Sequence, residues 1–90
     1  TIEIKAVDGV RYTVPKTINI ENMDDELTVR FRVGNVFKNA YISTYFNDER
    51  VGHKKRRVMA PGEMEQVVLK KEELENFTNL DDITIRIEEA

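Results

Sequence analysis

The sequence predicts an all-β fold, an antiparallel sandwich of seven or eight short strands, and three observations carry that reading. Ten Val, eight Ile and seven Thr give 25 β-branched residues among 90, against four Ala and four Leu. Such side chains lose χ1 freedom in a helix but fit a pleated sheet. Apolar residues recur at every second position in several segments, the period of a strand with one buried face. Turn signals fall about every ten residues, the spacing of an immunoglobulin-like sandwich, and leave no length for parallel crossovers through helices. A small Greek-key barrel is the alternative architecture.

Each element follows from its residues. Ile2, Ile4 and Ala6 alternate with Glu3, Lys5 and Val7. Asp8-Gly9 then tolerates the positive φ angles of a two-residue turn. Val10, Tyr12 and Val14 alternate with Arg11 and Thr13, so residues 2–14 read as a hairpin. Pro15 lacks an N–H for the ladder and ends this strand or sets it on an edge. Ile18 and Ile20 mark a short strand before the polar turn of residues 21–26. Leu27, Val29, Phe31 and Val33 form one face of the next strand and Thr28, Arg30 and Arg32 the other. After Gly34-Asn35, Ala40, Ile42, Thr44 and Phe46 oppose Tyr41, Ser43 and Tyr45. Asn47-Asp48-Glu49 turns into a strand over residues 50–59, and Pro61-Gly62 turns into another over 64–69. The only helical spacing is Leu74 with Phe77 among Glu72, Glu73 and Glu75, which supports at most one short helical turn near residues 70–77. Ile83, Ile85 and Ile87 alternate with Thr84, Arg86 and Glu88 as the final strand.

Ninety residues fit a single domain over 1–90. The strand pattern begins at Ile2, directly after Thr1, which points to a domain excised from a longer protein. No apolar run approaches the ~18 residues of a membrane span. Without cysteine there is no disulfide, thiolate metal site or thiol nucleophile. A single histidine, His53, leaves no His-rich metal cluster and little basis for a general base. The four glycines stand apart at 9, 34, 52 and 62, so no phosphate-binding glycine loop is present. Asp24-Asp25-Glu26, Asp48-Glu49 and Asp81-Asp82 read as solvated turn formers, since calcium needs six to eight oxygens at a defined loop spacing. No residue is assigned a catalytic, cofactor-binding or metal-binding role.

Residues 50–57 are unusual. Arg50, Lys54, Lys55, Arg56 and Arg57 are five of the 14 cations in a chain of net charge −3. Without them the balance would be 9 − 17 = −8, so the chain is electrically polarised. On a strand, His53, Lys55 and Arg57 point one way and Gly52, Lys54 and Arg56 the other. Burying unpaired charge is prohibitive, so this strand belongs on an edge or in a hairpin with residues 40–46. It reads as a solvated edge that resists aggregation, as a docking surface for an acidic face of the same polypeptide or a partner subunit, or as a phosphate-binding surface with Tyr41 and Tyr45 as stacking platforms. The net negative charge argues against nucleic acid. Without Trp, Tyr12, Tyr41 and Tyr45 fit cross-strand packing better than a carbohydrate platform. Met23, Met59 and Met64 read as gap-filling residues.

Two runs stand out together: Asp8-Gly9-Val10-Arg11-Tyr12-Thr13-Val14-Pro15-Lys16, and Lys54-Lys55-Arg56-Arg57-Val58-Met59-Ala60-Pro61-Gly62-Glu63-Met64. The pair resembles the small C-terminal domain of bacterial FAD-dependent pyridine nucleotide-disulfide oxidoreductases. There a V-R-Y-x-V-P-x hairpin and a basic K-R-R-x-x-x-P-G-E-M segment follow the nucleotide-binding domains. The resemblance implies a cytoplasmic parent enzyme that binds FAD and NAD(P)H, with neither cofactor held by this chain. It implies a non-catalytic accessory domain that contacts the rest of the parent or a partner subunit. The candidate contact residues are Arg50, His53, Lys54, Lys55, Arg56, Arg57, Tyr41 and Tyr45. The competing readings are a stand-alone polyanion- or nucleic-acid-binding domain and a bacterial surface adhesion module of immunoglobulin-like fold.

Overall fold

Alternating apolar residues become strands in the computed structural model, which describes residues 2–89. In chain order these are β1 (Ile2–Val7), β2 (Val10–Val14), β3 (Thr17–Ile18), β4 (Glu26–Val33), β5 (Phe37–Phe46), β6 (Glu49–Met59), β7 (Glu65–Lys70) and β8 (Asp82–Glu89). A 3-10 turn at Ile20–Asn22 precedes β4, and the single helix described, α1 (Lys71–Asn76), follows β7. The strands form a five-stranded sheet in the order β3-β1-β8-β5-β6 and a three-stranded sheet in the order β2-β4-β7. The fold is the all-β sandwich that composition and period predict.

The core lies between the sheets. Val29, Phe31 and Val33 of β4 share it with Ile42 of β5 and Ile83 and Ile85 of β8, all nearly sealed from water. Burying one such side chain contributes roughly 1.5–3 kcal/mol relative to leaving it exposed. Helix α1 closes one end by burying Leu74, and Phe77 just beyond it meets Phe46 edge to face at 5.5 Å. No helix among the described residues is long and apolar enough to cross a membrane.

Several local expectations are corrected. Residues 2–14 are not a hairpin: β1 pairs with β3 and β8, while β2 joins the other sheet beside β4. Asp8 and Gly9 do take positive φ, 49° and 99°, but their turn carries the chain between sheets. The backbone groups of β1 and β2 are taken by the longer ladders of β8 and β4. The β1–β8 pair is parallel, with Ile4 opposite Ile83 and Ala6 opposite Ile85. A parallel pair needs a long connection, and here most of the chain lies between the two strands, so no crossover helix is required.

The alternation of β2 also breaks. Tyr12 has φ 54°, and the register shifts between Arg11 and Val14. Such a bulge reverses which side chains face inward. Thr13 is therefore buried, while Tyr12 and Val14 are 71% and 61% exposed. Pro15 follows the end of β2, which is itself an edge strand. Ile18 ends β3, whereas Ile20 begins the 3-10 turn rather than extending a strand. Asn19 caps that turn by accepting a hydrogen bond from the Glu21 N–H at 3.1 Å.

Candidate functional site

Strand β6 ends the five-stranded sheet, with β5 as its only ladder partner. That is the edge position its charge on both faces requires. The register sets the basic run against the tyrosines: Lys55 opposite Tyr41, His53 opposite Ser43 and Arg50 opposite Tyr45. On its other side, β5 places Tyr41 opposite Glu88, Ser43 opposite Arg86 and Tyr45 opposite Thr84 of β8. A polar and aromatic grid thus covers the outer face of this sheet.

Its members are tied to one another. The His53 ring stacks on Tyr41 with centroids 4.0 Å apart, and His53 Nδ1 shares a 2.9 Å hydrogen bond with Ser43 Oγ. The Tyr45 hydroxyl donates to Glu88 Oε2 at 2.8 Å, and Arg50 Nη1 lies 3.6 Å from Glu88 Oε1. Arg86 sits over the Tyr45 ring at 4.8 Å and faces Asp8 at 3.6 Å. The Ser43 hydroxyl first, then the Tyr45 hydroxyl and Arg50, hold the Glu88 carboxyl below its ordinary value; partial burial pushes the other way. This covering explains why Ser43, an outward position by alternation, is fully buried.

Ser43, His53 and Glu88 are together but do not form a nucleophilic relay. In such a relay the imidazole holds the hydroxyl on one ring nitrogen and the carboxylate on the other. Here both face the same nitrogen: Glu88 Oε1 lies 3.9 Å from the Nδ1 that Ser43 occupies. With Ser43 sealed from solvent, the trio is built for packing and orientation.

The basic run divides in two. Arg50 is engaged by Glu88, and Arg56 reaches across the open side of the sandwich to Glu65 of β7, with Nε 3.0 Å from Oε1. Lys54 borders a small cleft of about 110 Å³ between β6 and β7, with Val51, Val68 and Glu73 also on its wall. Lys54, Lys55 and Arg57 are exposed and enter no ion pair among the described residues. Tyr41 and Tyr45 do lie beside β6, but each already has one ring face covered, by His53 and Arg86 respectively. That weakens their use as stacking platforms. Among the described residues no three His, Asp or Glu side chains gather as a metal site.

Ser43 and Glu88 belong to this site and were not singled out by the sequence. Each reads as an ordinary polar position on an alternating strand, and only the β5–β8 pairing brings them together. Fold and site define a two-sheet β-sandwich with a cationic edge strand. No protein-family model, curated protein or solved structure matches this chain.

Proposed function

We propose that this domain is a non-catalytic contact module that docks an acidic partner surface along β6. One observation carries the reading: an eleven-residue edge strand bears three exposed cations, Lys54, Lys55 and Arg57, that the chain's own described carboxylates leave unpaired. The outer backbone groups of an edge strand can accept another strand, and side-chain charge then selects which one. A second copy of β6 would meet cation on cation and be repelled, whereas an acidic strand would be steered in. The Tyr41–His53 stack and the Glu88 contacts hold the neighbouring face in one arrangement before a partner arrives. The setting we propose is the one the motif resemblance implies, a cytoplasmic FAD- and NAD(P)-dependent oxidoreductase whose other domains or partner subunit would supply the acidic surface. That setting rests on the resemblance alone.

The test uses a short peptide of alternating Glu and Val and follows the domain's amide resonances at low salt. Shifts should concentrate on β6, weaken steeply with added salt, and disappear in the Lys54→Gln, Lys55→Gln, Arg57→Gln variant. Arg56 stays in place because it holds Glu65. Absence of β6 shifts overturns the proposal. Preferential binding of single-stranded oligonucleotide, with about one unit of salt slope lost per cation removed, would replace it with the polyanion reading.

A further inference from the structure

The outer face of the three-stranded sheet is a second charged surface, independent of β6. Along β4 the outward residues are Glu26, Thr28, Arg30 and Arg32. At about 3.4 Å per residue they span roughly 20 Å. Strand β2 sets Arg11 opposite Arg32 and Val14 opposite Arg30. Strand β7 sets Gln66, Val68 and Lys70 opposite Arg30, Thr28 and Glu26.

One end of this face is basic. Arg11, Arg30 and Arg32 crowd together, and none enters an ion pair among the described residues. Like charges directly opposite one another destabilise a strand pair. Two of these side chains are nevertheless held in place. Arg11 lies so close over Gly34 that a Cβ there would come within 2.7 Å of its Nε, and Arg32 Nε donates to Met64 Sδ at 3.3 Å. The other end is acidic: Asp25, Glu26, Glu72 and Glu75 line one shallow concavity with Lys70 and Lys71. Between the ends lie Thr28 and the half-exposed Val68.

We propose that this face pairs with the same face of a second copy about a two-fold axis through Thr28 and Val68. A surface basic at one end, acidic at the other and uncharged between is self-complementary under such a rotation. Each arginine cluster then meets the partner's acidic concavity, which relieves the repulsion between Arg11 and Arg32. Arg and Met are residues that interface cores favour. Three strands ~4.8 Å apart and ~20 Å long offer less than the ~800 Å² per partner of a standard interface, so association is weak and concentration-dependent.

Sedimentation equilibrium from micromolar to millimolar protein tests this. The wild type should dimerise at low salt, and raising salt from about 50 mM to about 500 mM should weaken the dimer at least tenfold. Arg30→Glu with Arg32→Glu should give a monomer, as should Asp25→Lys with Glu26→Lys and Glu72→Lys. Mixing these two variants should restore a one-to-one dimer, because one then carries only acidic ends and the other only basic ends. If the reversals prevent folding, Arg30→Gln with Arg32→Gln serves in their place and should also abolish the dimer. A wild type that stays monomeric at millimolar concentration overturns the proposal. So does a dimer that survives loss of the arginines, or a mixture that stays monomeric.

Discussion

Arg56 Nε lies 3.0 Å from Glu65 Oε1, and this ion pair ties the edge of the five-stranded sheet to the edge of the three-stranded one. The partners differ in environment: the Glu65 side chain is 4% exposed and that of Arg56 40%. A paired charge inside a protein adds little net stability, but removing one partner leaves the other without compensation. The two deletions should therefore differ. Arg56→Ala strands a carboxylate in the seam and should lower unfolding free energy by about 3 kcal/mol. Glu65→Ala leaves a guanidinium that can turn to water and should lower it by about 1 kcal/mol. Urea denaturation at neutral pH measures both, and equal losses would contradict the asymmetry.

Glu88 should shape the acid side of the stability curve. Its carboxyl is held low in the folded state, chiefly by the Ser43 and Tyr45 hydroxyls, so between its folded and unfolded values the unfolded chain binds more protons. The stabilisation is complete above the unfolded value of about 4.3 and is lost as pH falls through the folded one. Glu88→Gln should be less stable than the wild type at neutral pH and lose less on acidification. Tyr45→Phe should move the Glu88 titration upward, as followed by NMR at its carboxyl carbon. Wild-type and Gln variant curves that run parallel from pH ~6 to pH ~3 would count against this account.

Tyr12 and Asn47 both have positive φ, 54° and 55°, but they should respond oppositely to substitution. The left-handed region costs a residue with a Cβ roughly 1–2 kcal/mol, and Asn tolerates it better than Tyr. Because the Tyr12 side chain is largely in water, Tyr12→Asn should stabilise the domain by about 0.5 kcal/mol. Asn47 has other work: its Oδ1 accepts from the Asp81 and Asp82 N–H groups, and its Nδ2 donates to the Asn79 carbonyl. Asn47→Gly removes those bonds and should destabilise by about 1–2 kcal/mol despite the backbone relief. Thermal unfolding of the two variants should shift in opposite directions.

Gly9 is the glycine least open to substitution. Its φ is 99°, and a Cβ would sit 2.6 Å from Phe37 Cζ, in the ring that packs against the core. Gly9→Ala should cost about 2–4 kcal/mol from backbone strain and overpacking together. Gly62 has no atom within 4 Å of the equivalent point, so Gly62→Ala should stay within about 0.5 kcal/mol of wild type. Similar losses at the two positions would show that turn flexibility, rather than the Phe37 contact, governs the effect.

Much of the fold was legible residue by residue. Leu27, Val29, Phe31 and Val33 declared the inner face of β4 by their spacing, and Leu74 with Phe77 marked the one α-helix among the described residues. The charge on both faces of residues 50–57 required an edge, and β6 is one. The alternation of β2 misled because a bulge at Tyr12 reverses it, and no residue type there signals positive φ as Gly or Asn would. Of the candidate contact residues, Tyr41, Tyr45, Arg50 and His53 were legible as neighbours of one strand pair. Ser43 and Glu88, which hold them in place, were not.

The sequence by itself determined which face of β4 and of β8 turns inward and which strand must bear its charge at a border. Those are properties of a residue and its near neighbours along the chain. Only the tertiary structure decided that β1 runs parallel to β8, that Arg56 closes on Glu65, and that Arg11 faces Arg32. Strands are joined through N–H and C=O groups that almost every residue carries alike. The choice of neighbour is therefore written in no single segment and emerges only when both sheets bury their faces at once.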